Sequence, residues 1–314
     1  MDGNGRTGTP CPGQAPRRAR GWRAWTIVAI ACASLAGAAA WPQEAATPGA
    51  AELLARRQSL LPALRAGLDG EPVVLSSRER RDLLEGDVHA EVPFGLAVLA
   101  ERLRSPEGLC AMLLLHLNVR GCQPVRGTEG VSLSVVMGPK RQGGVGARHV
   151  SVYAMQVQTD AATHFRVALQ ADHGPMSIRD VRMVLQAVPL DPARSFVHVG
   201  YAYRVGTLGR LALSAYLATA GRQKTGFTVV GTDSRGQPVR IDGPRAALER
   251  NVMRYYLAIL AVAASPPEST PQAWQARLRT WFALTERHAE QLHEYGLEEY
   301  LENKRADLAF LVGR

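Results

Sequence analysis

The segment ERNVMRYY, Glu249 to Tyr256, places a carboxylate, two guanidinium groups, an amide and two phenols within about two helical turns. Arg250 and Arg254 stand four residues apart and therefore share one side of a helix that is otherwise apolar. Arginines in such surroundings need partners, and the anionic headgroup of a ligand is one partner that suits them. In that reading Glu249, Arg250, Asn251, Met253, Arg254 and Tyr256 form a candidate ligand-binding set, with the tyrosines offering hydroxyls deeper in. The structural alternative has Glu249 favouring a helix N-terminus and the arginines paired with carboxylates of a sheet. His198 joins the set because it alternates with Phe196, Gly200, Ala202 and Arg204 on a strand face mixed enough to line a cavity or to face solvent. Were the same site catalytic, Glu249, Tyr256 or His198 would be its acid/base group.

A second constellation is LCAMLLLHLNVRGCQP, Leu109 to Pro124, where Cys110 and Cys122 flank an apolar run holding His116 and Asn118. These residue types fit a metal site, a thiol with His116 as its base, or a disulfide. Zinc takes three or four ligands at recognisable spacing, and one cysteine pair with a lone histidine is too few. The choice between thiol and disulfide depends on compartment. Ala24 to Ala40, AWTIVAIACASLAGAAA, is an uncharged apolar run behind Arg17, Arg18, Arg20 and Arg23 that ends in small residues. This is the pattern of a secretory signal peptide cleaved near Ala38 or Ala40. An uncleaved anchor is the alternative, since a run of about 17 residues lies at the short edge for spanning a bilayer. In both cases the arginines stay inside, so the body is expected in the periplasm or secreted, or else held at the inner membrane facing the periplasm. Cys11 and Cys32 belong to residues 1–40, which leaves Cys110 and Cys122 as the pair of the mature chain. A disulfide is then expected, closing a short loop and stabilising by roughly 2–3 kcal/mol.

No metal or cofactor is expected from the remaining motifs. His164, His173 and His198 are scattered without a carboxylate at ligand spacing. In HAEQLH, His288 and His293 are five residues apart and do not share a helix face as zinc ligands four apart do. GGVG, Gly143 to Gly146, lacks the strand and helix that flank a phosphate cradle, and no G-x-S-x-G motif occurs. The formal charge of +9 falls to +5 over residues 41–314, because five arginines and one aspartate lie in the leader. That excess is spread out, without basic clusters interleaved with aromatics, so no nucleic-acid partner is expected.

The elements that must position these groups follow from periodicity. Residues 50–68 repeat leucine at helical spacing, with Pro62 as a kink or boundary. DVHAEV, Asp87 to Val92, alternates as a strand, and Pro93 opens a helix whose Phe94, Val98, Leu99 and Leu103 share a face. From Val131 the runs VSLSVVMG, HVSVYAMQVQ, THFRVALQA, SIRDVRMVLQAV and SFVHVGYAYRVG predict an antiparallel meander, with Val197, Val199, Tyr201, Tyr203 and Val205 as core. A helix is expected over Thr207 to Gly221, then a hairpin turning at DSRG. The helix GPRAALERNVMRYYLAILAVAA carries two adjacent apolar stripes and is expected to be buried along most of its length. After the linker SPPESTPQ, a stripe of Trp274, Leu278, Trp281, Thr285, His288, Leu292 and Tyr295 predicts a helix that either docks on the body or self-associates through residues 274–295.

LLEGDVHAEVPFGLAVLAERLRSPEGLC, where a strand enters a helix, and ERNVMRYYLAIL, a long apolar helix after a meander, together resemble the START-like superfamily. That superfamily is also called SRPBCC and includes polyketide cyclase-like proteins; the resemblance runs from Leu75 to Ala264. It implies an α+β helix-grip fold in which an antiparallel β-sheet wraps a long C-terminal helix and encloses a pocket for lipids or other apolar molecules. The helix at Thr207 to Gly221 and an extra terminal helix depart from the simplest version. Expected boundaries are 1–40 for the leader, 41–74 for an N-terminal helical segment, 75–264 for the helix-grip domain, 265–272 for the linker and 273–314 for the tail. The resemblance implies a binding cavity, and the expected function is non-enzymatic binding there of an apolar or amphipathic small molecule such as a lipid, with membrane proximity a further expectation. The alternatives are an enzyme using the same cavity and an envelope interaction protein acting through its terminal helix. The leader reading has a direct check: intact-mass measurement of periplasmic protein should give a chain beginning near Trp41, whereas full-length chain in the membrane fraction would favour the anchor.

Overall fold

The structure is a computed structural model describing residues 49–128, 130–141, 148–160, 163–206, 209–210, 224–266 and 270–312. The leader, the GGVG loop and nearly all of the helix expected over Thr207 to Gly221 lie outside the described residues. Strands β1 (Val73–Arg80), β2 (Leu83–Val92), β3 (Val119–Gly127), β4 (Gly130–Met137), β5 (His149–Asp160), β6 (His164–His173), β7 (Ile178–Asp191) and β8 (Arg194–Val205) form one antiparallel sheet. Its order is β1-β2-β8-β7-β6-β5-β4-β3. From β2 the chain crosses through helices α2 (Leu96–Leu103) and α3 (Pro106–Leu113) to the far edge, then returns strand by strand to β8 beside β2.

The five expected runs are β4 to β8. Strands β1 and β3 were not legible, because β1 ends in the polar run SSRER and β3 contains Gly121 and Pro124. The single helix expected after Pro93 is two. Ser105 caps the second by accepting from the Gly108 N–H at 3.0 Å, and Pro106 takes the first-turn position where a missing N–H costs nothing.

Helix α4 (Gly243–Ala263) lies on the inner face of the sheet across β1, β2 and β8, with α2 and α3 beside it. Leu248, Val252, Tyr255, Ile259 and Val262 are all buried, as their stripe predicts, each apolar side chain contributing roughly 1.5–3 kcal/mol. Close approach depends on Gly86. A Cβ there would lie 3.1 Å from Leu248 and 3.3 Å from Val252, so a larger residue would push the helix off β2. A sheet gripping a long helix is the helix-grip arrangement. Helix α1 (Ala50–Ala66) covers the opposite face, where Leu53 and Leu64 meet Val188 and Phe196 in a second small core. The Phe196 face of β8 therefore lines no cavity next to α4. Between β8 and α4, β9 (Val229–Thr232) and β10 (Pro238–Arg240) form the expected hairpin, turned by Asp233 accepting from the Arg235 and Gln237 N–H groups at 2.8 Å each.

The tail is three helices rather than one: α5 (Pro271–Glu286), α6 (Ala289–Leu292) and α7 (Leu297–Val312). Its stripe is buried within the chain. Leu278, Trp281, Leu292 and Tyr295 join the main core, and the Trp281 indole donates to the Arg254 carbonyl at 3.1 Å. The surface on which self-association was expected is thus consumed by docking. Helix α7 also covers the edge strand β3, where Lys304 Nζ donates to the His116 and Val119 carbonyls at 2.8 Å each. The described residues form one compact unit that includes α1 and the tail.

Cys110 on α3 and Cys122 on β3 are joined by a disulfide with Cα atoms 5.2 Å apart, both residues buried. The bridge ties the helical cover to the edge strand. Cys110→Ser and Cys122→Ser should each lower stability by roughly 2–4 kcal/mol in chemical denaturation, and the double variant should lose no more, since either change removes the same bond. Two free thiols in denatured, unreduced protein would contradict the bond.

Candidate functional site

The first turns of α4 carry three buried charges, and each is held by a different part of the chain. Glu249, fully buried, accepts from Ser77 Oγ at 2.5 Å, Thr228 Oγ1 at 2.7 Å, and the Phe227 and Thr228 N–H groups at 2.7 and 3.0 Å. Gly226 lets the backbone come this close, because a Cβ there would sit 2.5 Å from the carboxylate. Arg250 donates to the Lys224 and Thr225 carbonyls at 3.0 Å each. Arg254 donates to the Leu292 carbonyl at 3.1 Å and pairs with Glu294 at 2.9 Å. Glu249 therefore acts as a clamp rather than as an acid/base group, all its acceptor sites being engaged. The arginines do find partners in the chain, although these are mainly carbonyls and a tail carboxylate instead of the sheet carboxylates expected.

Farther along the same helix is a cluster that the sequence reading took for plain core. His116 stacks on Tyr255 with ring centroids 4.7 Å apart, Tyr255 lies 5.4 Å from Tyr201, and Tyr201 lies 5.5 Å from Tyr203. All four are buried, with Tyr153 of β5 close enough to act on Tyr201 and Tyr255. Burial pushes the Tyr153 phenol up to about 12 and raises Tyr201, Tyr203 and Tyr255 further. His116 Nδ1 accepts from the Asn118 N–H at 3.2 Å, which leaves Nε2 carrying the proton with no acceptor in bonding geometry. Asn251 lies near enough to favour the charged imidazole, yet burial, and after it Arg254, Lys304 and Lys140, hold His116 well below the ordinary histidine range. Met253 and Tyr256 are buried on α4, where burial raises the Tyr256 phenol. The signal available in the sequence was the pair of tyrosines alternating with valines on a buried face, since buried phenols ordinarily find partners.

His198 lies on the outer face, away from this cluster. Its Nε2 donates to Asp87 at 2.8 Å, its Nδ1 accepts from the Gln186 amide at 3.4 Å, and its ring stacks on His89 at 4.5 Å. Strand register supplies the carboxylate that chain spacing did not, because His89 pairs with His198 and Asp87 with Gly200. The three acid/base candidates Glu249, Tyr256 and His198 thus share no site. Between α5 and the segment following α6, a recess of about 10 Å³ is bordered by Leu117, Phe282, Leu292 and Tyr295, room for about one water. Among the described residues no group of three or more His, Cys, Asp or Glu has the geometry to hold a metal ion.

The buried histidines set an acid limit. Burial first, then the neighbouring His198, lowers His89 to about 3, and His116 is lowered in the same direction. In the unfolded chain both take up protons near pH 6.5, protons that the folded chain refuses. Their contribution to stability is therefore complete above pH 6.5 and is lost as the pH falls from there toward 3. Denaturant titrations at pH 7.5, 5.5 and 4.5 should show that decline, and His89→Gln or His116→Gln should flatten it. A decline unchanged in both variants would assign it to other groups.

No protein-family model and no curated protein matches the chain. Solved structures do. Human STARD10 is 11% identical with a TM-score of 0.38, the match covering 72% of this chain and 82% of that one. A START superfamily protein from Mycobacterium smegmatis is 20% identical with a TM-score of 0.27, over 44% and 95% of the two chains. Norcoclaurine synthase from Thalictrum flavum, in complex with dopamine and hydroxybenzaldehyde, is 14% identical with a TM-score of 0.30, over 48% and 81%. The chain has a remote START-like resemblance, and the strand order and the gripped helix carry it.

Proposed function

We propose that this protein binds an amphipathic small molecule between the inner face of the sheet and α4, with a polar part of the ligand at the phenol and imidazole cluster. One observation supports this above the others. The Nε2 of His116 is buried with no hydrogen-bond partner, and its ring stacks on Tyr255 in a buried row that continues to Tyr201 and Tyr203. Buried polar groups are ordinarily satisfied, and an unmet donor costs about 1–3 kcal/mol, so a ligand's polar atom beside His116 would relieve a standing penalty. Met183, paired in register with Tyr201, adds an adaptable apolar wall beside the phenols. His116 has no carboxylate among its hydrogen-bond partners to orient it as a base, which favours binding over chemistry. An exported location is part of the same proposal, supported by the basic and apolar leader pattern and by a disulfide that forms most readily in an oxidising compartment.

Native mass spectrometry of mildly extracted protein should find a bound small molecule that leaves on denaturation, and emptied protein should take up the neutral dye Nile red. Tyr201→Phe and Tyr255→Phe should release the bound molecule more readily, by about tenfold each, without lowering stability. Protein at its bare sequence mass that also takes up no dye would refute the proposal.

A further inference from the structure

His116 lies between α3 and β3, where its neighbours fix the imidazole in one orientation and one protonation state. Its backbone is tied on both sides. The N–H donates to the Leu113 carbonyl at 3.0 Å, and the carbonyl accepts from the Val119 N–H at 3.1 Å and from Lys304 Nζ at 2.8 Å. The ring stacks on Tyr255 of α4, with centroids 4.7 Å apart and planes 22° from parallel. Tyr255 in turn lies 5.4 Å from Tyr201 of β8, so the imidazole stands where α4 meets the sheet. Its Nδ1 accepts from the Asn118 backbone N–H at 3.2 Å. Asn118 is itself held by Gly138, donating to that carbonyl from its side-chain amide at 2.9 Å and accepting from that N–H at 2.8 Å. A backbone N–H can only donate. Nδ1 therefore keeps its lone pair, which rules out the imidazolium and places the ring's one proton on Nε2. Burial and then the charges of Arg254, Lys304 and Lys140 act in the same direction. His198 differs here, because the Gln186 amide beside its Nδ1 can turn over and accept.

The donor so fixed at Nε2 meets no acceptor, in a residue only 2% exposed. Asn251, one turn before Tyr255 on α4, favours the charged ring from nearby but makes no hydrogen bond to Nε2 in bonding geometry. We infer that His116 Nε2 reads the polar end of the ligand, and that this end is an uncharged carbonyl oxygen, of a ketone or an ester, on an apolar chain. The inference rests on the binding proposed above and names the ligand's class: a neutral carbonyl amphiphile. An ammonium would set donor against donor, and an alcohol would bring a proton of its own to be satisfied. A carboxylate would bury a full charge against a neutral donor, since the nearby cations are committed. Lys304 holds the His116 and Val119 carbonyls and Asp307, and Arg254 holds the Leu292 carbonyl and Glu294. A carbonyl oxygen accepts and needs nothing further.

The test displaces Nile red from emptied protein at pH 7 with 2-decanone, decane, decylammonium and decanoate. The ketone should compete at least about tenfold more effectively than each of the others. His116→Phe keeps a ring to stack on Tyr255 and removes the Nε2 donor, and in this variant the advantage of ketone over decane should fall toward one. Nitrogen NMR of the unaltered protein gives a second measurement that does not depend on the variant folding. It should show His116 as the Nε2–H tautomer, with the Nε2 resonance shifting on addition of 2-decanone and not of decane. Equal competition by ketone and decane, or an Nε2 resonance that the ketone leaves unmoved, would overturn the role of His116 while leaving apolar binding intact. Decylammonium matching the ketone would overturn the demand for an acceptor, and decanoate exceeding it would overturn the uncharged class. A ketone preference undiminished in folded His116→Phe would also overturn the assignment to His116. Failure of Nile red itself to bind would remove the underlying proposal, and this inference with it.

Discussion

The structure depends on one constraint: a helix that must be apolar enough to be gripped by a sheet also carries Glu249, Arg250 and Arg254 into the interior, each nearly inaccessible to water. An uncompensated buried charge is untenable, so each group has to find hydrogen-bonding partners before the helix can settle. Each finds them in a different stretch of chain. Glu249 gathers β1 through Ser77 and the strand-entry segment through Phe227 and Thr228. Arg250 takes the carbonyls of Lys224 and Thr225. Arg254 takes the tail through Leu292 and Glu294. Three charges thereby set where three segments lie relative to α4, a specificity that apolar packing alone does not supply.

The same requirement separates the two faces of the sheet. On the outer face, beside the small core under α1, His198 has both ring nitrogens engaged by Asp87 and Gln186, so its polar atoms need nothing further. On the inner face the Nε2 of His116, whose ring stacks on Tyr255, lacks such a partner. With both ring nitrogens engaged, His198 is set aside as a ligand contact.

The tail contributes to the body in the same way. Tyr300 donates to the Leu115 carbonyl at 2.9 Å, Lys304 takes the His116 and Val119 carbonyls, and Asp307 meets both Arg120 and Lys304 at 3.3 Å. These bonds hold the loop that presents His116, which the disulfide fastens from its other side. Tail, loop and imidazole are therefore held together, and Glu294, which sits in the tail, brings a carboxylate to Lys140 and Arg254.

Local periodicity determined a great deal. Alternation of period two identified β4 to β8, two apolar stripes identified α4 as buried, and a lone cysteine pair behind an export-like leader identified the disulfide. These features were legible because each is a property of neighbouring residues, imposed by backbone geometry on every chain. Where local signal was weak the reading failed, as at β1 with its polar end, β3 with Gly121 and Pro124, and the breaks at Ser105 and after Glu286. The candidate site was legible only in part. ERNVMRYY marked the right helix, but which of its groups are clamps was decided by partners from 21 to 172 residues away. Likewise His198 acquired Asp87 across 111 residues through strand pairing, and Lys140 met Glu294 across 154. Sequence fixes what each side chain offers; only the closing of the sheet on α4 decides which offers are taken, because hydrogen bonds and ion pairs act over a few ångströms and tertiary contact alone brings such distant residues within that range.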